Sequence, residues 1–475
     1  MKRLLLSFKG LFLLLFCTIL SAGIYNVYKP LPPGLSYEGE YHRAEDLKFL
    51  GDLTWKNGDR FKTDHEIFDE ILFRIENSEK FILLDMFLFN DFMGKAAKDG
   101  RSLSSELKNA LISKKLSKPE IFICVVTDPV NKVYNGLVNP LFTELEKAGI
   151  NVVFTDIDRL RDSNPIYSVF YRVFFRFLGN SPGETVKSPF GNQKISLRSY
   201  FKLLNFKANH RKVLLCDNSG YLYAVVSSMN PHDASSLHSN AGVSFTGKTA
   251  IDILETEKAV LKMSGFTDIP NIKFKTKSFG SERIKAVTEK KILDNILNSV
   301  KNTEKGDKIS IVMFYLSHRD IISALKNSSE RGVKIRILLD ANKDAFGREK
   351  NGIPNKVTAQ KLYKSGIKIK WANTDGQQLH TKLILIEKAS GKHFLTAGSA
   401  NLTRRNLDNF NLETNVIIKC NKESSFFKEA EEYINTLFSN KNDRFLSLDY
   451  KKLSEDSYMK MILYFLMEET GFCTF

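Results

Sequence analysis

Apolar positions along the chain alternate between helix-period and strand-like stretches, and the series is written twice. "HEIFDEILFRIENS" puts Ile67, Phe68, Ile71, Leu72 and Ile75 on one helical face, and "KFILLDMFLFN" follows as a buried strand. In the second half "KKILDNILNSVKNT" leads into "KISIVMFYLSH" by the same route. A further helix and strand come next, "LSSELKNALISKKLSKPEIFICVVTD" in one half and "DIISALKNSSERGVKIRILLD" in the other. Each of these strands ends on an aspartate, Asp128 or Asp340. A third pair, "LFTELEKAGINVVFTD" and "TAQKLYKSGIKIKWAN", precedes the strand-like runs "NHRKVLLCD" and "LHTKLILIE". Small-residue turns close each series, "VSSMN" at 226–230 and "AGSAN" at 397–401, before one more strand. Strands alternating with helices in this order predict an α/β architecture made of two copies of one unit.

The first residues break the pattern. From Gly10 to Tyr28 the chain is mostly apolar for 19 residues, enough to span a bilayer as a helix, and Pro30, Pro32 and Pro33 end the run. Lys2, Arg3 and Lys9 against Lys29 predict a cytoplasmic N-terminus with the bulk of the chain beyond the membrane. Ser21-Ala22-Gly23 also offers a cleavage site, so a secreted protein is the alternative, though the run is longer than a usual signal core. The expected division is a membrane anchor over 1–34, a first half over 35–265 with an insert at 156–205, a second half over 266–440 and a tail over 441–475, whose "SYMKMILYFLMEE" reads as a docking helix. A chain of 475 residues that is 43% hydrophobic can bury a sizeable core, and a net charge of +16 favours anionic partners, whether nucleic acid or anionic lipid. Cys124, Cys216 and Cys420 sit in strand-like runs and read as small buried hydrophobes, not as a disulfide framework.

The chemistry is expected in the doubled segment. His210, Lys212 and Asp217 in the first copy answer to His380, Lys382 and Glu387 in the second. Residues two apart on a strand share a face, which projects each histidine with its lysine. Each copy is followed by a Ser-x-Asn, Ser228 with Asn230 and Ser399 with Asn401. This doubled pattern resembles the phospholipase D superfamily in its two-motif form, and "NHRK" resembles the bacterial cardiolipin synthases.

The resemblance covers residues 45–440 through the repeat order. It implies two tandem α/β/α subdomains related by a pseudo-twofold axis, their motifs meeting in one active site. It further implies phosphodiester chemistry without metal or cofactor, through a phosphohistidine. One histidine attacks phosphorus while the other protonates the leaving alkoxide. His210 is preferred as nucleophile and His380 as acid; Lys212 and Lys382 would hold the phosphoryl oxygens, with Asn230, Asn401, Ser228 and Ser399 as neutral donors. Asp217 and Glu387 complete the expected set, Glu387 reaching one methylene further than the usual aspartate. Aligning "HSNAGVSF" with "NLETNVII" sets Asn240 opposite Glu413, so only one copy carries a carboxylate there. A carboxylate favours a charged imidazole, and the two histidines are therefore expected to differ in resting protonation.

Other signals are weaker. "GVSFTGKT", Gly242 to Thr249, satisfies a phosphate-loop pattern, but Val243, Ser244 and Phe245 align with strand residues of the second copy, which argues against an ATPase. His65, Glu66 and Glu70 lie close enough for a metal site, but Thr63 with Glu66 reads more simply as a helix capping box. The insert's "NPIYSVFYRVFFRFLGN" places Tyr167, Phe170, Tyr171, Phe174 and Leu178 at helical spacing beside Arg172 and Arg176. From Ser163 to Lys212 there are nine Lys or Arg and one acid, Glu184, which suits an interfacial helix, while a core helix or lid would read the same. Three functions follow: a membrane-anchored, monomeric phospholipid enzyme, hydrolysing head groups or transferring a phosphatidyl group; a nuclease; and a non-catalytic membrane-surface binder. The anchor and the aromatic-basic insert favour the phospholipid membrane as partner.

Overall fold

A computed structural model describes residues 2–94, 100–276, 279–345, 348–441 and 444–475. Two sheets carry the fold. The first runs, from edge to edge, Glu45–Asp52, Asn240–Thr246, Tyr221–Ser227, Lys212–Asn218, Phe81–Met86, Phe122–Thr127 and Asn151–Phe154. Its last three strands are parallel, joined through the helices Leu103–Ser117 and Pro140–Lys147, and its other pairings are antiparallel. The second sheet repeats this order with Arg283–Thr288, Thr414–Asn421, Lys392–Gly398, Lys382–Glu387, Lys308–Met313, Lys334–Leu339 and Lys368–Ala372. The repeat seen in the hydrophobic pattern is therefore a repeat of topology.

The second sheet also gains a strand at each edge. His42–Arg43 pairs with Arg283–Thr288, and Ser447–Asp449 of the tail pairs with Lys368–Ala372. His42–Arg43, expected in the first half, and Ser447–Asp449, expected in the tail, thus both join the second sheet.

Period-two burial explains how the halves meet. In Lys212–Asn218, Val213 and Leu215 join a core shared with Leu383, Leu385, Leu395, Val416 and Ile418 of the other sheet. Leu214 and Cys216 face the opposite way, into the core beneath the helices of the first half. Ile384 and Ile386 do the same in the second. The sheets are packed face to face through a common apolar layer, with helices covering their outer faces. The helices Lys248–Met263 and Ser425–Ser439 add Ile253, Val260, Phe426 and Ile434 to that shared layer.

The predicted helix at 67–75 forms as Glu66–Glu76, burying Ile67, Phe68, Ile71 and Ile75. Its capping differs from the expectation. Thr63 Oγ1 bonds Thr54, Glu66 accepts from the Gly51 N–H, and the Asp52 carboxylate accepts from the Ile67 N–H at 3.0 Å. A neighbouring strand end supplies the cap, so a local capping box has no role. Gly242 to Phe245 is extended strand, as expected, which removes the phosphate loop. The five cysteines are free and four are buried.

At the seam, Arg211 is fully buried between Glu257 of the first half, at 3.0 Å, and Glu289 of the second, at 2.8 Å. Glu289 also accepts from the Glu413 and Ser36 N–H groups. Removing the cation strands two buried carboxylates, so Arg211→Met should destabilise the full chain by about 3 kcal/mol or more. Thermal unfolding in detergent measures this, and adding Glu257→Gln and Glu289→Gln should recover part of the loss.

Candidate active site

Each histidine sits on the loop that enters its central strand, and each loop is stitched to the opposite half. His210 N–H donates to Leu412 O at 2.9 Å, and Leu412 N–H returns a bond to Ala208 O. In the mirror arrangement His380 N–H donates to Ser239 O at 2.9 Å, and Ser239 N–H to Gln378 O. From beneath, Asp128 accepts the Asn209 N–H at 2.8 Å and Asp340 the Leu379 N–H at 2.9 Å. Those are the twin aspartates that end the predicted strands. They fix the residue before each histidine, a role that only the fold reveals.

The two imidazoles line one cavity of about 500 Å³, together with Asn230 and Asn401. Each takes its partner from the other half. Glu413 faces His210 Nδ1 at 2.9–3.0 Å, and Asn240 Oδ1 faces His380 Nδ1 at 3.2 Å. The Asn240 amide donates to His238 O, which turns its carbonyl oxygen toward His380. Nδ1–H then donates in both rings, leaving Nε2 free for chemistry. Ser228 and Ser399 bond Asn240 and Glu413 in turn, and Asn406 also holds Glu413. Aromatic rings back the imidazoles in matching positions, Phe87 at 4.8 Å from His210 and Phe314 at 5.0 Å from His380.

Lys212 and Lys382 are buried, and each donates to the carbonyl of its own histidine at 2.7 Å. Burial lowers the Lys212 pKa to about 7, and burial with the neighbouring Lys212 charge pushes Lys382 well down. Burial lowers His210 to about 4, against the opposing pull of Glu413. His380, lacking a carboxylate, is driven well below its usual value by burial and by Lys382. Both imidazoles therefore rest neutral at pH 7. The expected difference in resting protonation is corrected here: burial outweighs the carboxylate, and the asymmetry lies in the partner. Two buried amines whose charged forms are disfavoured by burial form a site completed by an anion, which would favour the charged form of both lysines and of both histidines.

Asp217 and Glu387 are not brought into this cavity. Both lie at the far ends of their strands. Asp217 accepts the N–H groups of Glu79, Lys80 and Phe81 at 2.7–3.1 Å, anchoring the start of the neighbouring strand. Glu387 pairs with Lys308 at 3.1 Å on the neighbouring strand. A strand rises about 3.3 Å per residue, so seven residues carry these carboxylates away from the chemistry, and the catalytic label does not hold for them. His65, Glu66 and Glu70 form no metal cluster among the described residues, and Glu70 instead pairs with Arg74 at 2.7 Å. Sequence reading passed over His238, whose ring lies 5.8 Å from that of His380 on the same cavity. Its counterpart in the alignment is Asn411, so the repeat offered no flag.

Two histidines, two lysines and two Ser-x-Asn turns, paired across a pseudo-twofold seam, define a doubled α/β protein of the phospholipase D type. Residues 296–438 match the family described as "Cardiolipin synthase, PLD-like domain". The fold is similar to that of phosphatidylserine synthase from Haemophilus influenzae, at 11% identity and TM-score 0.57, over 95% of this chain and 97% of that one. Polyphosphate kinase from Porphyromonas gingivalis aligns at 13% identity and TM-score 0.45 over 86% of this chain and 52% of that chain. A phospholipase D family member, Nuc, from Salmonella typhimurium aligns at 19% identity and TM-score 0.27 over 36% of this chain and 99% of that one. A comparison with curated protein sequences finds no match. Residues 296–438 are thus similar in sequence to the phospholipase D-like family, and the whole chain shares the fold of the phosphatidylserine synthase.

Glu413 raises the His210 pKa, so its removal lowers that pKa further. Glu413→Gln should move the acidic limb of the kcat/KM profile to lower pH and reduce kcat by on the order of 10³ through loss of the fixed tautomer. Asp217→Asn should leave the pH profile unchanged and lower only the unfolding temperature, as read by activity and melting of the same preparation.

Proposed function

We propose that the protein is a phospholipid phosphodiesterase that cleaves or transfers a phosphatidyl group through a phosphohistidine. The observation that carries this is the reciprocal seam: two imidazoles from different halves on one cavity, each oriented by a residue of the other half, above paired buried lysines. The phosphodiester anion would sit among Lys212, Lys382, Asn230 and Asn401 and raise the histidine pKa values on arrival. His210 Nε2 attacks phosphorus, the bond to the leaving oxygen breaks, and His380, protonated in the bound complex, donates its Nε2 proton to that oxygen. Neutral His380 then takes a proton from water or an acceptor alcohol, whose oxygen attacks phosphorus and breaks the P–N bond. The assignment to His210 follows from charge. A phosphorylated imidazole that keeps its Nδ1 proton is cationic, and Glu413 is placed to stabilise it, whereas His380 faces a neutral amide.

Lipid is favoured over nucleic acid by the walls of the cavity and by the N-terminus. Phe87, Phe92, Tyr134, Phe190, Leu203 and Phe206 contribute to a lining that also carries Lys207, Lys350 and Arg405, so the wall joins a large apolar surface to a few basic groups. Phe8–Tyr28 is an apolar helix of 21 residues, long enough to hold the chain at a membrane, with the catalytic part on the far side from Lys2, Arg3 and Lys9. The names of the matched family and of the phosphatidylserine synthase neighbour point the same way.

The full-length protein should turn over labelled phosphatidylglycerol or phosphatidylcholine in mixed micelles with chelator present, and leave single-stranded DNA intact. Acid-labile, base-stable label should remain on the wild-type chain after quenching and be absent from His210→Ala. Cleavage of DNA alone would establish the nuclease reading instead.

A further inference from the structure

The tail helix Tyr458–Thr470 packs on the second half through Tyr464, Met467 and Glu468: Tyr464 OH donates to Ser317 O at 3.0 Å, and Ser317 bonds Glu468. The remaining apolar side chains are turned outward, with Tyr458 76% and Met459 74% exposed and Ile462, Leu463, Phe465 and Leu466 also exposed. A docking helix was expected here, but most of its apolar surface is undocked. The insert helix Pro165–Phe174 and the turn Arg176–Leu178 behave alike, exposing Ile166, Phe170, Phe174, Phe177 and Leu178 while Tyr167 and Tyr171 are half-buried. A core helix would hide these.

Three apolar helices come together at one point of the chain. The N-terminal helix Lys2–Tyr28 meets the insert where Gly23 abuts Val169 and where Asp162 N–H donates to Asn26 O at 3.0 Å. Arg161 donates to Lys29 O at 2.7 Å. Gly471, at the end of the tail helix, rests on the backbone of Ser163 and Asn164, where the insert helix begins. Its positive φ of 69° and that contact leave no room for a side chain. The catalytic cavity opens beside this junction: Phe206 and Arg405 line it, the Phe472 ring lies 5.7 Å from that of Phe206, and Arg405 donates to Ser163 Oγ and to the Gly471 and Cys473 carbonyls.

We propose that the outward apolar faces of the insert and tail helices lie in the same bilayer that holds Phe8–Tyr28, forming a three-part membrane contact that sets the mouth of the cavity at the lipid–water boundary. The occupant is a lipid surface because the contact is continuous with the one helix among the described residues whose length and apolarity suit a bilayer, and whose large apolar side chains from Phe8 to Phe16 are exposed. Exposed Arg176, Lys187 and Lys194 on the insert would meet anionic head groups. The proposal rests on the anchor and not on turnover of lipid.

The test is spin labelling of the full chain in vesicles of equal phosphatidylglycerol and phosphatidylcholine. Cys17→Ser removes the exposed native thiol, and the other four cysteines are buried. Nitroxides at Phe170→Cys, Phe177→Cys, Ile462→Cys and Leu466→Cys are compared with one at Leu116→Cys, an exposed apolar position on a different helix. The ratio of collisions with oxygen to collisions with a water-soluble nickel chelate should be severalfold higher at the four sites than at Leu116. Equal ratios would overturn the proposal and leave these faces to a protein partner. Because the readout needs no catalysis, it separates failure of this surface from failure of the phospholipid reading.

Discussion

The site depends on one reciprocal constraint, the parallel backbone bridges that bind each histidine loop to the opposite half. His210 is tied to Leu412, next to Glu413, and His380 to Ser239, next to Asn240. A backbone bridge places the adjacent side chain in register with the imidazole, so the ring's orienting partner arrives with the tether. Burial of Arg211 between Glu257 and Glu289, and the apolar layer shared by the sheets, hold that register. The chemistry of the cavity is thus a property of the seam, not of either half.

Much of this was legible in the sequence. Period and order of the apolar runs recovered the doubled α/β topology, because the central strands are buried on both faces and the helices that cover them on one. His210, His380, Asn230 and Asn401 all line the cavity, and Glu413 and Asn240 bond its imidazoles, since the repeat marks equivalent positions without needing three dimensions. Distances along a strand were harder to read. Asp217 and Glu387 share the motif but lie at the other end of an extended segment, where they fasten neighbouring strands. The competition between desolvation and Glu413 at His210 could not be read either, because burial depends on what the other half brings.

Symmetry is strict where chemistry needs a pair and broken where it needs a direction. The lysines, the aromatic backing rings and the aspartates under the loops are matched between halves. The orienting group differs, carboxylate against His210 and amide against His380, which makes two otherwise equivalent imidazoles unlike. The insert, present in the first half alone, contributes Pro189, Phe190 and Leu203 to the cavity wall, a contribution with no counterpart from the second half.

Because the residue that orients each ring is encoded in the other copy, the halves are not interchangeable cassettes. A duplicated ancestor could drift at position 413 only in step with position 210, and at 240 only in step with 380. Neither segment carries the whole of its own ring's environment, which binds the two into a single unit of inheritance.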